Sequence, residues 1–372
     1  MERCVCISCF DYYTTRMQQI NGFFIKNNYE LKYLYASFDH FSKKENINEY
    51  RNGVKIKVPK YSRNLSIQRL YSHYKFASVV MRYINKYNPD VIYCMIPPNI
   101  LVKKLAKYKD KNQRVKLIFD CYDFWPESFP YSKFMTLLKL PFLVWRNLRR
   151  RYISEADLII TVSEQCVQVL TQEVGNKPIR VIRPVINMDI LPNYSFNVDE
   201  LSFCYLGMIN HITDIDLGVE LLGSIARFKP VTLHIIGEGQ NLNEFVKRLE
   251  LASVNVICHG VIFDMDEKNK IFSICNMGLN IPREEIGSTM SLKAIEYLRA
   301  GLPFLNSAGG DIRNIVKEDM VGINIEEDLD IAADEILKLT KNKMQIMHER
   351  CVLSYRNRFI EQDYKTIFRH IV

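Results

Sequence analysis

Lys293 and Glu296 stand three residues apart at the start of a helical segment, directly behind a loop of small residues. A cation and a carboxylate at that spacing share one helix face. Together they suit a phosphate and a sugar hydroxyl, because an ammonium only donates hydrogen bonds and a carboxylate only accepts them. They sit in the run 281–303, IPREEIGSTMSLKAIEYLRAGLP. Residues 277–281 are a short apolar run closed by Pro282, which reads as a buried strand. A loop holding Gly287, Ser288, Thr289 and Ser291 follows. Leu292, Ile295 and Leu298 then recur at every third position until Gly301 and Pro303 stop the helix. Strand, small-residue loop and helix present free N–H groups and a positive dipole end to an anion. The plainer alternative is a buried crossover helix with solvated charges.

A second group of chemically able residues, Asp120, Asp123, Trp125 and Glu127, lies at the carboxyl end of the apolar run 115–121. Asp123 is suited to orient or deprotonate an acceptor hydroxyl. The alternative is that it caps a helix entered at Pro126. Gly237 and Gly239 end another apolar run, which permits close approach of a nucleotide or simply a tight turn. The pairs Asp214/Asp216 and Asp264/Asp266 have D-x-D spacing, but each precedes a helical pattern, where aspartates cap free N–H groups. They are read as caps, and no metal is expected. His73, His211 and His259 have no usable partner spacing. Cys4, Cys6 and Cys9 share one strand pattern with no second ligand cluster, so they read as strand residues and not as a zinc site.

These groups need a scaffold, and 372 residues suffice for two domains. Hydrophobic content of 48% and charged content of 25% are ordinary for a globular protein. No apolar run approaches the roughly 20 residues that span a bilayer. The amino terminus, MERCVCISCF, reads as a strand and not as a signal peptide. Most of the ten cysteines lie in apolar runs (Cys94, Cys204, Cys258 and Cys275 among them), which suits buried free thiols in a reducing cytoplasm. The net charge of +8 divides unevenly, with +15 over residues 1–190 and −7 over residues 191–372. A basic half favours an anionic partner: nucleic acid, phospholipid or a phosphorylated substrate.

Strand-like runs at 3–9, 30–36, 54–58, 90–96, 115–121 and 156–162 alternate with helical patterns at 16–27, 67–87 and 101–109. The second half repeats the plan, with strands at 201–206, 231–236, 254–259, 277–281, 303–306 and 322–325. Helices fit between them at 217–228, 242–251, 267–275 and 291–300. The expected fold is α/β, two doubly wound Rossmann-like domains facing across a cleft. The expected bounds are 1–187 and 188–372, with the last helix able to return to the first domain. Ligands in such sheets sit at the carboxyl ends of the strands.

The run SLKAIEYLRAGLPFL resembles the nucleotide-sugar-binding segment of two-domain glycosyltransferases of the B-type fold, in particular retaining family 4. KLIFDCYDFWPES, ADLIITVSE, CYLGMINHITDIDLGVELL, LHIIGEGQNLNEF and NVICHGVIFDMDE follow the family's order over roughly residues 1–330. FDYYTTRMQQINGFF is similar to variants found in surface-polysaccharide assembly. The resemblance implies that Glu296, the second glutamate of the family's E-x7-E motif, binds the donor ribose and that Lys293 lies near the diphosphate. The motif's first glutamate is replaced by Ser288, with Glu284 and Glu285 out of register. Relatives often follow the CYLG glycine with an arginine; here Met208 follows Gly207 and no cation appears before Arg227. Arg283, Lys293 and loop amides, with Ser288, Ser291, Gly207 and Gly237, are then the expected donor contacts. Asp11 and Arg16 occupy positions where relatives often contact acceptor or phosphate. Asp11, Asp123 and Glu127 are the catalytic candidates, and Arg16, Asp120 and Trp125 the acceptor-side ones.

The implied function is transfer of a sugar from a nucleotide-diphosphate donor to an acceptor hydroxyl, with retention, in capsule, O-antigen or exopolysaccharide assembly. A glycan or lipid-linked glycan is the expected acceptor, with neither cofactor nor metal. The alternatives are a nucleotide-sugar epimerase of the same fold and a non-catalytic nucleotide-sugar-binding module; nucleic-acid binding rests on charge alone. Residues 133–152, KFMTLLKLPFLVWRNLRRRY, hold no acid and combine apolar residues with Lys133, Lys139, Arg146, Arg149, Arg150 and Arg151. They are expected to dock on anionic lipid, placing the protein peripherally on the cytoplasmic face of the plasma membrane.

Overall fold

The computed structural model describes residues 1–10, 13–124, 139–186, 194–283, 290–326 and 328–371. The chain forms two compact units, Met1–Arg183 with Asp363–Val372, and Pro184–Gln362.

The first unit is built on seven strands: β1 (Arg3–Ser8), β2 (Glu30–Ala36), β3 (Gly53–Ile56), β4 (Val91–Ile96), β5 (Lys116–Cys121), β6 (Leu158–Thr161) and β7 (Ile179–Val181). They pair in parallel in the order β3-β2-β1-β4-β5-β6-β7. All six side chains of β4 are buried, as a central strand covered on both faces requires. The helices are α1 (Thr14–Lys26), α2 (Ile67–Tyr87), α3 (Asn99–Lys111), α4 (Lys139–Arg150) and α5 (Glu164–Val174). Ser66 caps α2 by accepting from the Arg69 N–H, and Asn88 ends it in the left-handed conformation. The step from β1 to β2 runs one way along the sheet and the steps through α2, α3 and α4 run the other. Right-handed crossovers therefore place those three helices on the face opposite α1, and α3 packs against both α2 and α4.

The second unit alternates β8 (Leu201–Leu206), α6 (Ile215–Ala226), β9 (Val231–Ile236), α7 (Leu242–Leu251), β10 (Asn255–Gly260) and α8 (Met265–Ser273). It continues through β11 (Met277–Asn280), α9 (Leu292–Ala300), β12 (Phe304–Asn306), α10 (Gly310–Asp319), β13 (Gly322–Asn324), α11 (Leu329–Leu337) and α12 (Lys341–Tyr355). The parallel order is β10-β9-β8-β11-β12-β13. Strand order reverses between β1 and β4 in one unit and between β8 and β11 in the other, and ligand crevices open at such points. The last helix, α13 (Tyr364–Phe368), belongs to the first unit, where Phe368 stacks on Phe23 of α1 with ring centroids 4.9 Å apart.

Several elements differ from the sequence pattern. The three residues of β7 are all half-buried, too short and too mixed to show a period. Cys258 is exposed where a buried thiol was expected, because β10 is an edge strand whose side chains face solvent. The other nine cysteines are free and buried, Cys4, Cys6 and Cys9 among them. Among the described residues, no helix is long and apolar enough to cross a membrane.

Candidate active site

In the second unit, Ser291 caps α9, its hydroxyl oxygen facing the Ala294 N–H at 3.5 Å. The helix is fixed to the sheet by Tyr297, a fully buried residue whose hydroxyl accepts from the Leu206 N–H at 2.9 Å. That hydroxyl also lies 3.1 Å from the Cys204 carbonyl and 3.3 Å from that of Leu279. Gly278 makes this possible, since a Cβ there would stand 2.7 Å from the Tyr297 ring. The α9 amino end is thereby held beside the carboxyl ends of β8 and β11.

Lys293 points to that end. Its Nζ donates to the Tyr205 hydroxyl at 2.8 Å and stands 4.1 Å from the ring centroid, a cation–π contact. Next to it the backbone turns at Gly207, with φ +113°. Gly237 has φ +154°, and a Cβ on it would lie 2.0 Å from the Gly207 carbonyl oxygen. Gly237 is therefore required by the close approach of two strand ends, and Gly207 by its positive φ.

Glu296, expected at the donor ribose, is largely buried and already engaged by cations. Its Oε1 accepts from Lys268 Nζ of α8 at 2.9 Å, and its Oε2 lies 3.5 Å from Nε of the fully buried Arg299. The side chain keeps 15% exposure. Lys293 and Glu296 share a helix face by spacing, yet one turns to β8 and the other to α8. Arg283, expected at the phosphate, pairs with Asp216 at 3.4 Å on the surface, and Asp216 also holds Arg248 at 2.6 Å. Asp214 and Asp264 cap α6 and α8, accepting from the Leu217 and Glu267 N–H groups. Among the described residues, no group of three or more potential ligands is arranged to hold a metal ion.

In the first unit, Arg16 and Asp120 do not form an open acceptor surface. Both are buried, and the guanidinium grips the carboxylate through Nε at 2.8 Å and Nη2 at 3.1 Å. The Tyr93 hydroxyl donates to the same carboxylate, and Arg16 also bonds the Ile182 carbonyl. Although burial opposes its charge, the adjacent carboxylate raises the Arg16 pKa. The pair ties α1 to β5 and to the chain beyond β7. It is an internal bracket, and neither side chain offers an exposed surface to an acceptor in this structure.

Asp123 is half-buried beyond the carboxyl end of β5, within electrostatic reach of Arg69. Arg69, His40, His73, Lys43 and Tyr61 form a cluster around Phe10 that the sequence did not signal. His40 Nδ1 lies 2.7 Å from the Tyr61 hydroxyl; burial, with Arg69 and Lys43 nearby, lowers its pKa to about 4. His73, 2% exposed, is pushed down by burial too. Asp11, Trp125, Glu127 and Ser288 lie outside the described residues, as do residues 133–138 of the expected membrane segment.

Residues 23–190 match the model of Glycosyltransferase Family 4, and residues 200–342 match that of Glycosyl transferases group 1. The chain is a family 4-like glycosyltransferase of the B-type fold. No curated protein matches the transferase by sequence. Its fold is shared with a sucrose-phosphate synthase from Thermosynechococcus elongatus, at TM-score 0.69 and 15% identity, over 100% of this chain and 97% of that one. The lipopolysaccharide outer core galactosyltransferase WaaB, solved in its apo form, gives 0.66 and 14% with 100% of both chains covered. HepE of Anabaena, solved with UDP and glucose, gives 0.63 and 14% over 100% of the transferase and 98% of HepE. At such identities the likeness speaks for the fold, and the family rests on the two sequence matches.

Proposed function

We propose that the transferase moves a sugar from a nucleotide-diphosphate donor to an acceptor hydroxyl with retention, in assembly of a surface polysaccharide on a lipid-linked acceptor. The observation that carries the donor reading is Lys293, an ammonium set against Tyr205 at the glycine-lined end of β8, beside the amino end of α9. Lys293 and the α9 amides meet the diphosphate, and Glu296, oriented by Lys268, accepts from the ribose. The acceptor oxygen bonds to the anomeric carbon as the carbon–oxygen bond to the diphosphate breaks. The nucleoside diphosphate leaves with that electron pair, stabilised by Lys293 and the amides. Asp123 orients the acceptor hydroxyl and takes its proton, with Asp11 and Glu127 as the other carboxylate candidates. The UDP bound in HepE supports a nucleotide donor. No metal is needed in this scheme.

The membrane reading keeps its partner and changes its residues. Arg149 is 1% exposed and bound to Glu173 at 2.8 Å, so it does not face lipid. Phe142 is buried, whereas Leu143 and Val144 are exposed, with Arg150 and Arg151 close behind in the chain. Helices α2, α3 and α4 together carry thirteen Lys and Arg, of which Arg69 and Arg149 are buried, against one acid, Asp110, and α2 also exposes Leu70, Tyr71 and Tyr74. This basic, aromatic layer supports docking on the anionic cytoplasmic leaflet.

Incubation with a panel of nucleotide sugars tests the reaction. Nucleotide release that depends on a glycan or lipid-linked acceptor is expected. Sugar interconversion without acceptor would identify an epimerase, and binding without turnover a sensing module.

A further inference from the structure

Three asparagines end three adjacent strands in register: Asn280 of β11, Asn306 of β12 and Asn324 of β13. Asn280 and Asn306 are 1% and 0% exposed, so each amide must be fully satisfied or costly. Asn280 Nδ2 donates to Asn306 Oδ1 at 2.7 Å, and Asn306 Nδ2 donates to Asn324 Oδ1 at 2.8 Å. Asn324 Nδ2 closes the row on the Arg313 carbonyl at 3.0 Å. At the other end the Ser291 hydroxyl donates to Asn280 Oδ1 at 2.8 Å.

An amide can be turned over, so the direction of such a row needs an anchor. Ala308 supplies it. Its N–H donates to Asn306 Oδ1 at 3.2 Å and its carbonyl accepts from Asn306 Nδ2 at 2.8 Å. Turning Asn306 over would set N–H against N–H and oxygen against oxygen. With Asn306 fixed, Asn280 must offer its NH2 to Asn306 and its oxygen to Ser291. Ser291 must then give its only proton to Asn280 and keep lone pairs alone for the α9 side.

We propose that Asn280 is a positioning residue for donor binding: through Ser291 it sets the amino end of α9, and Ser291 acts as a hydrogen-bond acceptor there and does not donate to the diphosphate. The inference rests on the reading that α9 receives the donor. It replaces the expected direct contact of the Ser291 hydroxyl with phosphate by backbone N–H groups and Lys293.

The test is calorimetric binding of UDP and GDP to wild type, Ser291→Ala, Asn280→Ala and the double variant, with kcat and donor and acceptor KM for whichever sugar nucleotide turns over. Each single variant is expected to weaken nucleotide binding about tenfold, the worth of about one hydrogen bond. The double variant should lose no more than the larger single loss, since both act through one helix end. Donor KM rises and acceptor KM stays constant. Additive losses, which would mean Ser291 contacts the donor by itself, or wild-type affinity in folded Asn280→Ala, overturn the proposal. Should Asn280→Ala not fold, Asn280→Asp keeps the shape but, when ionised, cannot donate to Asn306. Weakened binding that recovers toward acid pH is then expected, and wild-type affinity at every pH overturns the proposal. If wild type binds neither nucleotide, the donor reading falls and this inference falls with it.

Discussion

Replacing Glu296 by Gln removes one charge from a cluster that also holds Lys268 and Arg299. Lys268 keeps 8% of its side chain exposed and Arg299 none, so the two cations depend on this carboxylate for compensation. Breaking a buried pair from one side costs about 3–5 kcal/mol, because the other charge is left uncompensated. Glu296 itself is 15% exposed, and Gln still offers Lys268 an oxygen. Both relieve part of the loss, which gives about 2–3 kcal/mol. Two units need not unfold as one, so the assay is hydrogen exchange in α8 and α9 against urea, which reports the second unit alone. Adding Lys268→Met to Glu296→Gln should recover at least about 1 kcal/mol, since the double variant buries one less unpaired charge. Wild-type protection in Glu296→Gln would refute the structural account. Nucleotide affinity is read separately in the same folded variant, where loss of a charged acceptor for the ribose should cost about 1.5–3 kcal/mol. Unchanged affinity would remove Glu296 from the donor site.

Four further outcomes are expected. Asp120→Ala should destabilise the first unit by about 3–5 kcal/mol in denaturant, because Arg16 would be buried without its carboxylate; a loss below about 1 kcal/mol would contradict the bracket. Asp123→Asn should lower kcat with nucleotide affinity near wild type; equal loss of affinity would place Asp123 in the nucleotide pocket or in support of the fold. On anionic liposomes at low salt, Arg150→Gln with Arg151→Gln should reduce flotation, and Lys104→Gln with Lys107→Gln should do the same through α3; identical flotation of all proteins would end the membrane reading. Finally, His40 and His73 are held neutral by burial and by Arg69, with Lys43 adding to the effect on His40 and Asp39 opposing it. Their folded pKa values lie below the unfolded one, about 6.5. The unfolded chain therefore binds the extra protons, and stability present above about pH 6.5 should be lost as pH falls toward about 4. Urea midpoints for His40→Phe should show a flatter fall over that window.

The strand–helix alternation and the chemistry of α9 were legible for different reasons. A parallel strand buried on both faces must be a continuous apolar run, and β4, β5 and β8 announce themselves that way. Gly207 and Gly237 were legible because glycine alone suits the positive φ of the first and the backbone approach at the second. What spacing could not convey is which way a charged side chain turns. Lys293 and Glu296 lie on one helix face, but Tyr205 draws the first to β8, and Lys268, twenty-eight residues away in the chain, draws the second to α8. Arg16 and Asp120 are separated by 104 residues, so no local pattern reveals that each neutralises the other.

The asparagine row shows the same limit in its sharpest form. Asn280, Asn306 and Asn324 each stand at or one residue before the end of an apolar run, and in sequence each resembles an ordinary polar residue near a strand stop. Their meaning comes only from register, which sets them side by side across three strands. The backbone of Ala308 then imposes one direction on the whole row. A polar residue at a strand end is thus ambiguous until its cross-strand neighbour is known, because the same amide can terminate a strand, bind a ligand or hold another residue that does. In this transferase the third role follows from the direction of the row: the Ser291 hydroxyl gives its proton to Asn280, and the helix's own N–H groups and Lys293 are what remain for an anion.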